Sequence, residues 1–215
     1  MEQNDKPLAL TRASLNVEKM PIVFLGTPEE RKRIQMEVAK TGKPILIYHV
    51  IEDGVEKKLS LSPSSVLGLL TAFDMDVLTV IHHKLFEAKK TVGYCPTQMR
   101  LWISEFPKIM KLTTNGGLYD RIIESIKRLS TTDIYHENFV KISETDTKTM
   151  GSYREKALKI VIFKGSGKEI TKSNGTERMS KVFVDIEIPE WHSNNINSGY
   201  TTEFDTNIYF KITND

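Results

Sequence analysis

Cys95 is the only cysteine in the chain. Its solitude excludes an internal disulfide and any all-cysteine zinc site, and it suits a reducing compartment. No apolar run approaches the ~20 residues needed to span a bilayer. The opening Met1–Pro7 lacks the charged-then-apolar design of a signal peptide. A soluble, cytoplasmic protein with no membrane partner is therefore expected. Glycine and proline, 12 and 8 residues of 215, are too few for wholesale disorder. Internal repeats and low-complexity tracts are missing, and so is a phosphate-cradling P-loop. Gly165-Ser166-Gly167-Lys168 has neither the spacing nor the hydroxyl after lysine that such a loop needs.

What is present is globular: 39% hydrophobic and 27% charged residues, enough for one large domain or two small ones. The formal net charge of +2 hides a strong local division. Lys148–Lys181 holds nine Lys or Arg against three Asp or Glu, whereas Val182–Asp215 holds one Lys against six acids. Such a local basic block points to an anionic partner more than the overall balance does.

Along the chain, residues 1–14 read as a flexible, polar lead-in, followed by an apolar run, Ile22–Leu25, that could be a short buried strand or an anchoring arm. Thr27 with Pro28 predicts a helix start. Pro44–Ile51 and Lys57–Ser62 flank Asp53-Gly54 and predict a hairpin. Phe73, Val77, Leu78, Ile81 and Leu85 make one face of a first amphipathic helix, with Thr91–Tyr94 expected as a small strand after it. A short helix is expected over Thr97–Phe106.

The clearest helix signal follows: Leu118, Ile122, Ser125, Ile126 and Leu129 fall on one face at a period near 3.6. Thr113–Gly117 supplies capping residues before it. Strands are expected at Ile134–Ile142, Ala157–Phe163 and Met179–Ile188, and Pro189–Ser198 reads as turns. Helix, turn, helix, then a hairpin is the order of a winged helix-turn-helix, an α+β module that reads DNA. Here it would carry an extra N-terminal hairpin and a long β-wing, with residues 15–215 forming one domain.

Candidate DNA contacts follow from that reading. Tyr119, Arg121, Lys127 and Arg128 lie outward or on the flank of the helix, arginine being the usual reader of guanine and a good phosphate anchor. Arg128, late in the helix, could equally clamp a phosphate or a carboxylate. Asn115, Gly116 and Gly117 would let a phosphate approach the helix N-terminus, or would simply make a tight turn. Lys164, Lys168, Lys172 and Arg178 lie in or beside a polar, Gly-containing connection between two strands, as wing residues near phosphates would.

Signs of catalysis are weak. His82 and His83 are adjacent on a predicted helix and so point apart, as do Asp74 and Asp76. Cys95 has no local His partner and reads as a packed thiol. No catalytic residue, metal ligand or cofactor is assigned, and a non-enzymatic protein is expected.

The order of motifs resembles the plasmid replication initiators called replication initiator protein A. Asn16–Val23 looks like that family's opening anchor, and Ser62-Pro63-Ser64 with Gly68–Leu78 resembles its lead into the first helix. Gly116–Arg121 with Ser125–Leu129 is similar to its recognition helix. Trp191, Asn195, Tyr200, Phe204, Asp205 and Tyr209 look like its pattern after the wing. The resemblance implies sequence-specific binding to double-stranded DNA at repeated sites of a plasmid origin, with recruitment of host replication proteins such as a helicase or initiator, and a homodimer as a further expectation. Asp120 and Glu124, on the outward face, depart from what phosphates would favour. Initiators of this kind usually continue past Tyr209, so this chain reads as a short member or the N-terminal part of a longer one. A winged-helix transcriptional regulator is the alternative.

Overall fold

The computed structural model describes residues 10–14, 27–52, 54–115, 117–138, 152–165, 182–199, 201–205 and 209–210. The expected flexible lead-in is corrected at its end. Leu10–Ser14 forms strand β1, antiparallel to β9 (Thr201–Asp205), with Leu10 opposite Asp205 and Ser14 opposite Thr201. The partner lies at the far end of the chain, so no local pattern announces the strand. The apolar run at 22–25 lies outside the described residues.

Helix α1 (Pro28–Thr41) starts where the sequence predicts. Thr27 Oγ1 accepts from the Glu30 amide at 3.2 Å, and the Glu30 carboxylate accepts from the Thr27 amide at 2.8 Å. This reciprocal cap satisfies two otherwise orphaned donors, with Pro28 preset for the first turn. At the other end the Gly42 amide donates to the Val38 carbonyl. Val38 is the helix's only buried residue.

The predicted hairpin is β2 (Ile45–Glu52) and β3 (Val55–Ser62). Gly54 turns it at φ 76°, a backbone angle that favours glycine. Leu59 and Leu61 are buried and alternate with more exposed neighbours, the period of a strand covered on one face. Next to β3 come β5 (Asp133–Glu137) and β6 (Ser152–Glu155), giving an antiparallel sheet in the order β2-β3-β5-β6.

Helix α2 (Ala72–Val92) runs through the core, burying Val77, Leu78, Val80, Ile81, Leu85 and Phe86. Thr91–Tyr94 is not a strand. Thr91 and Val92 complete the last turn of α2, and Gly93 closes it at φ 86°. The strand comes later, as β4 (Gln98–Trp102), so the expected Thr97–Phe106 helix divides into β4 and a short α3 (Glu105–Met110). Gln98, Arg100 and Trp102 are exposed while Leu101 is buried, an alternation with period two.

Helix α4 (Leu118–Thr131) then packs on α2. Strands β7 (Ile160–Gly165) and β8 (Val182–Glu187) complete a second antiparallel sheet, β4-β8-β7, whose inner face buries Leu101, Val184 and Ile186. Pro189–Ser198, read as turns, instead contains helix α5 (Glu190–Ser198). One apolar cluster joins α2, α3, α4, α5 and both of these sheets. Each fully buried large aliphatic or aromatic side chain contributes roughly 1.5–3 kcal/mol.

Candidate nucleic-acid interface

The inner face of α4 is the one the periodicity predicts. Leu118, Ile122, Ser125, Ile126 and Leu129 are buried, and Tyr119 joins them. Tyr119 was expected outward; at 7% exposure its ring belongs to the core, because position 119 borders the line through Ile122 and Ile126. Asp120, Arg121, Glu124 and Lys127 are exposed.

Of the two partners the sequence leaves open for Arg128, a phosphate or a carboxylate, the fold supplies the carboxylate. Its Nη1 donates to both carboxylate oxygens of Asp74 at 2.7 and 2.8 Å, and its Nε donates to the Leu67 carbonyl at 2.9 Å. Asp74 is 0% exposed and also accepts from the Thr71 amide at 2.6 Å and the Thr71 hydroxyl at 2.8 Å. The arginine thus neutralises a buried carboxylate that caps α2, and its side chain is committed to that task. Asp76, two residues on, meets Tyr209 instead, whose hydroxyl donates to it at 3.0 Å. Burial raises the Asp76 carboxyl above its usual range, a shift the tyrosine partly offsets.

Arg121 sits on the same flank of α4, one heptad earlier, and stays exposed, with its guanidinium 4.3 Å from the centre of the Phe73 ring. Stacking preorganises the side chain while leaving its donors available. At the start of α4, Asn115 caps: its Oδ1 accepts from the Leu118 amide at 3.1 Å. Gly117 is exposed, and a Cβ built there would meet nothing within 4 Å, so space does not demand glycine. Gly116 lies outside the described residues.

Lys164 stands in β7, opposite Phe183, rather than in the connection beyond it. Lys168, Lys172 and Arg178 lie outside the described residues. Sequence reasoning missed a feature of the neighbouring β4–β8 face. Arg100 pairs with Asp185 through two hydrogen bonds of 2.6 and 2.9 Å and lies 4.2 Å from the Phe183 ring centre.

The histidines fall into separate surroundings. His82 is buried edge-on to His192 of α5, ring centres 4.6 Å apart. His83 reaches Glu87 at 3.4 Å. Among the described residues no group of His, Cys, Asp or Glu is placed to hold a metal ion. Cys95 is buried, and burial pushes its thiol up. Its backbone holds α5, with the Ser193 hydroxyl donating to the Cys95 carbonyl at 2.6 Å and the Cys95 amide donating to Asn197 Oδ1 at 2.6 Å. Among the described residues no helix is long and apolar enough to cross a membrane.

A family model described as replication initiator protein A matches residues 35–215. The chain belongs to that family, which places it among replication initiators. No curated relative matches it. Among solved structures it is similar to two crystal structures of domains 2 and 3 of RctB, at 17% and 15% identity and a TM-score of 0.46 in each case. Those matches cover 66% and 69% of this chain but only 52% and 50% of the RctB chains, so it spans about half their length.

Proposed function

We propose that this chain binds double-stranded DNA at a plasmid replication origin, sequence-specifically and without catalysing a covalent step. The observation that carries the reading is an order of elements: helix α2, strand β4, helices α3 and α4, then hairpin strands β7 and β8, with β8 pairing back onto β4. That order fits a winged helix-turn-helix, in which α4 enters the major groove and the β7–β8 hairpin is the wing. Sheet strands β5 and β6 stand between α4 and that hairpin as an elaboration of the module.

Within this reading Arg121 is the first candidate for base contact, held by Phe73 and exposed beside Lys127. Lys164 and the wing residues Lys168, Lys172 and Arg178 meet phosphates, which supply affinity and little sequence information. Asn115 takes the Leu118 amide, and the other first-turn amides of α4, beside exposed Gly117, would face a backbone phosphate. Host replication proteins and a second copy of the chain would assemble on other surfaces, in the cytoplasm. Family membership favours replication over purely transcriptional control.

The test is a footprint over the gene's own upstream region, paired with replication of a plasmid carrying that region. Protection of repeated sites, with replication lost when the gene is disrupted, supports the proposal. Protection with replication unchanged would make the chain a transcriptional regulator, and no protection would reject the DNA reading. Incubation with supercoiled origin DNA and magnesium should leave the DNA uncut.

A further inference from the structure

We infer that β2 is the surface on which a second copy of this chain docks, the two β2 strands pairing antiparallel about a two-fold axis. The inference rests on the proposed assembly with a second copy and gives that assembly a place in the fold. Among the described residues β2 pairs with β3 on one side and with no strand on the other, so it stands at the edge of its sheet. An edge strand carries a row of backbone donors and acceptors that another strand can satisfy. Proteins that keep such edges single often blunt them with lysine or proline, and Ile45–Glu52 contains neither. Its register slips between Leu46 and Tyr48, which leaves Tyr48–Glu52 as the regular stretch.

The outer half of the hairpin has a further reason to take a partner. Strand β5 pairs with β3 only from Lys58 to Ser62, so Val55–Lys57 and Val50–Glu52 continue as a two-stranded ribbon. Ribbons of two strands are marginal in water, and a third strand steadies them. On the β3 side the Glu56 carbonyl is already taken by Asn138 Nδ2 at 2.8 Å. The ribbon also carries apolar surface: Ile51 is 69% exposed, and Tyr48 and Val55 are exposed with it. Leu59 and Leu61, further along β3, are buried, so the exposure belongs to the part of the hairpin that runs past the core.

What makes the occupant a second copy is that β2 complements itself. Glu52 is the only Asp, Glu, Lys or Arg between Ile45 and Glu52. Pairing the regular stretch about Val50 sets Tyr48 opposite Glu52 and His49 opposite Ile51, each twice, with Val50 on the axis. No like charges meet, because the two Glu52 residues stand about 14 Å apart along the strands at ~3.4 Å per residue. Ile51 gains cover from the His49 ring of the other copy, a ring already fixed by Glu56 at 2.8 Å. An edge that pairs with its own copy uses both edges at once and closes as a dimer instead of growing into a fibre. The sheet β2-β3-β5-β6 of one copy then continues into the same sheet of the other.

The experiment is sedimentation equilibrium of the full chain without DNA, across the micromolar range, for the parent and variants at the exposed isoleucine. The parent should sediment as a dimer. Ile51→Lys puts a cation opposite His49 of the second copy, twice per interface, and should raise the dimer dissociation constant about tenfold or more. Ile51→Thr, β-prone and uncharged, should weaken the dimer in the same direction, and Ile51→Val should leave it intact. Because Ile51 is exposed, the far-ultraviolet circular dichroism of all three should match the parent's. Val92→Lys, which places the same cation at an exposed valine of α2, should dimerise like the parent. A parent that stays monomeric overturns the inference. So does a dimer that Ile51→Lys leaves unchanged, or that Val92→Lys weakens equally. Binding of the upstream duplex is measured separately: a dimeric parent that fails to bind it rejects the DNA reading and leaves this surface standing.

Discussion

Arg121 and Arg128 stand on the same flank of α4, yet the fold uses them in opposite ways. Around Arg128 the helix meets a buried carboxylate, a capped α2 terminus and a backbone carbonyl, and the guanidinium has little freedom left. Around Arg121 it meets the face of one ring and solvent. The difference lies in what each faces on α2: Asp74, with 0% exposure, must be neutralised, whereas Phe73 only needs cover. A charge on a helix flank is therefore committed to the fold or left exposed according to its neighbour, not its own identity.

The sharpest way to break the comparison is to truncate the inner arginine. Arg128→Ala leaves Asp74 buried and unpaired, and it should destabilise by about 3–5 kcal/mol. DNA binding would then be lost through unfolding, measurable as a large drop in the urea midpoint. A variant that melts like the parent would return Arg128 to the list of DNA contacts. Ile122→Ala, a cavity at a position with 0% exposure, should cost about 2–5 kcal/mol. Loss of binding with an unchanged melting curve would mean the inner face is misassigned.

Acid tests the opposite, C-terminal half of α2. Burial holds His82 well below its ordinary 6.5 and His192 down to about 4. The unfolded chain gains these protons as pH falls through about 6.5, while folded His192 resists until about 4 and buried His82 also resists, so protonation pulls toward the unfolded state. The His192 contribution is intact above pH 6.5 and is lost progressively between 6.5 and about 4. Urea midpoints across that window should decline, and a His192→Phe variant should flatten the decline. The smallest stability effect belongs to Arg121→Ala: an exposed cation–ring contact is worth about 0.5–1 kcal/mol, so the melting curve should hardly move.

Much of this was readable in the sequence where a pattern is local. The α4 face, the Thr27 cap of α1 and the β2–β3 hairpin each follow from spacing within a few residues. What escaped depends on distant partners. Strand β1 is polar and finds its register only against Thr201–Asp205. Helix α5, rich in Ser and Asn, is a poor helix former by propensity, and tertiary contacts hold it: the Cys95 backbone takes Ser193 and Asn197, while Lys89 Nζ donates to the Ile196 carbonyl at 2.5 Å. Which of its two readings Arg128 takes, phosphate or carboxylate, stayed open for the same reason. Periodicity places it on a flank, but only the fold brings Asp74 beneath it.

The central claim is that the outer face of α4 reads base sequence while its inner flank holds the fold. The most direct measurement is a binding titration of Arg121→Ala on the footprinted upstream duplex and on a scrambled duplex, with melting recorded on the same samples. The account predicts a loss of roughly tenfold or more on the specific duplex, about 1.4 kcal/mol or greater, a much smaller loss on the scrambled one, and an unchanged melting curve. Equal affinities for parent and variant on both duplexes, with the fold intact, would contradict it.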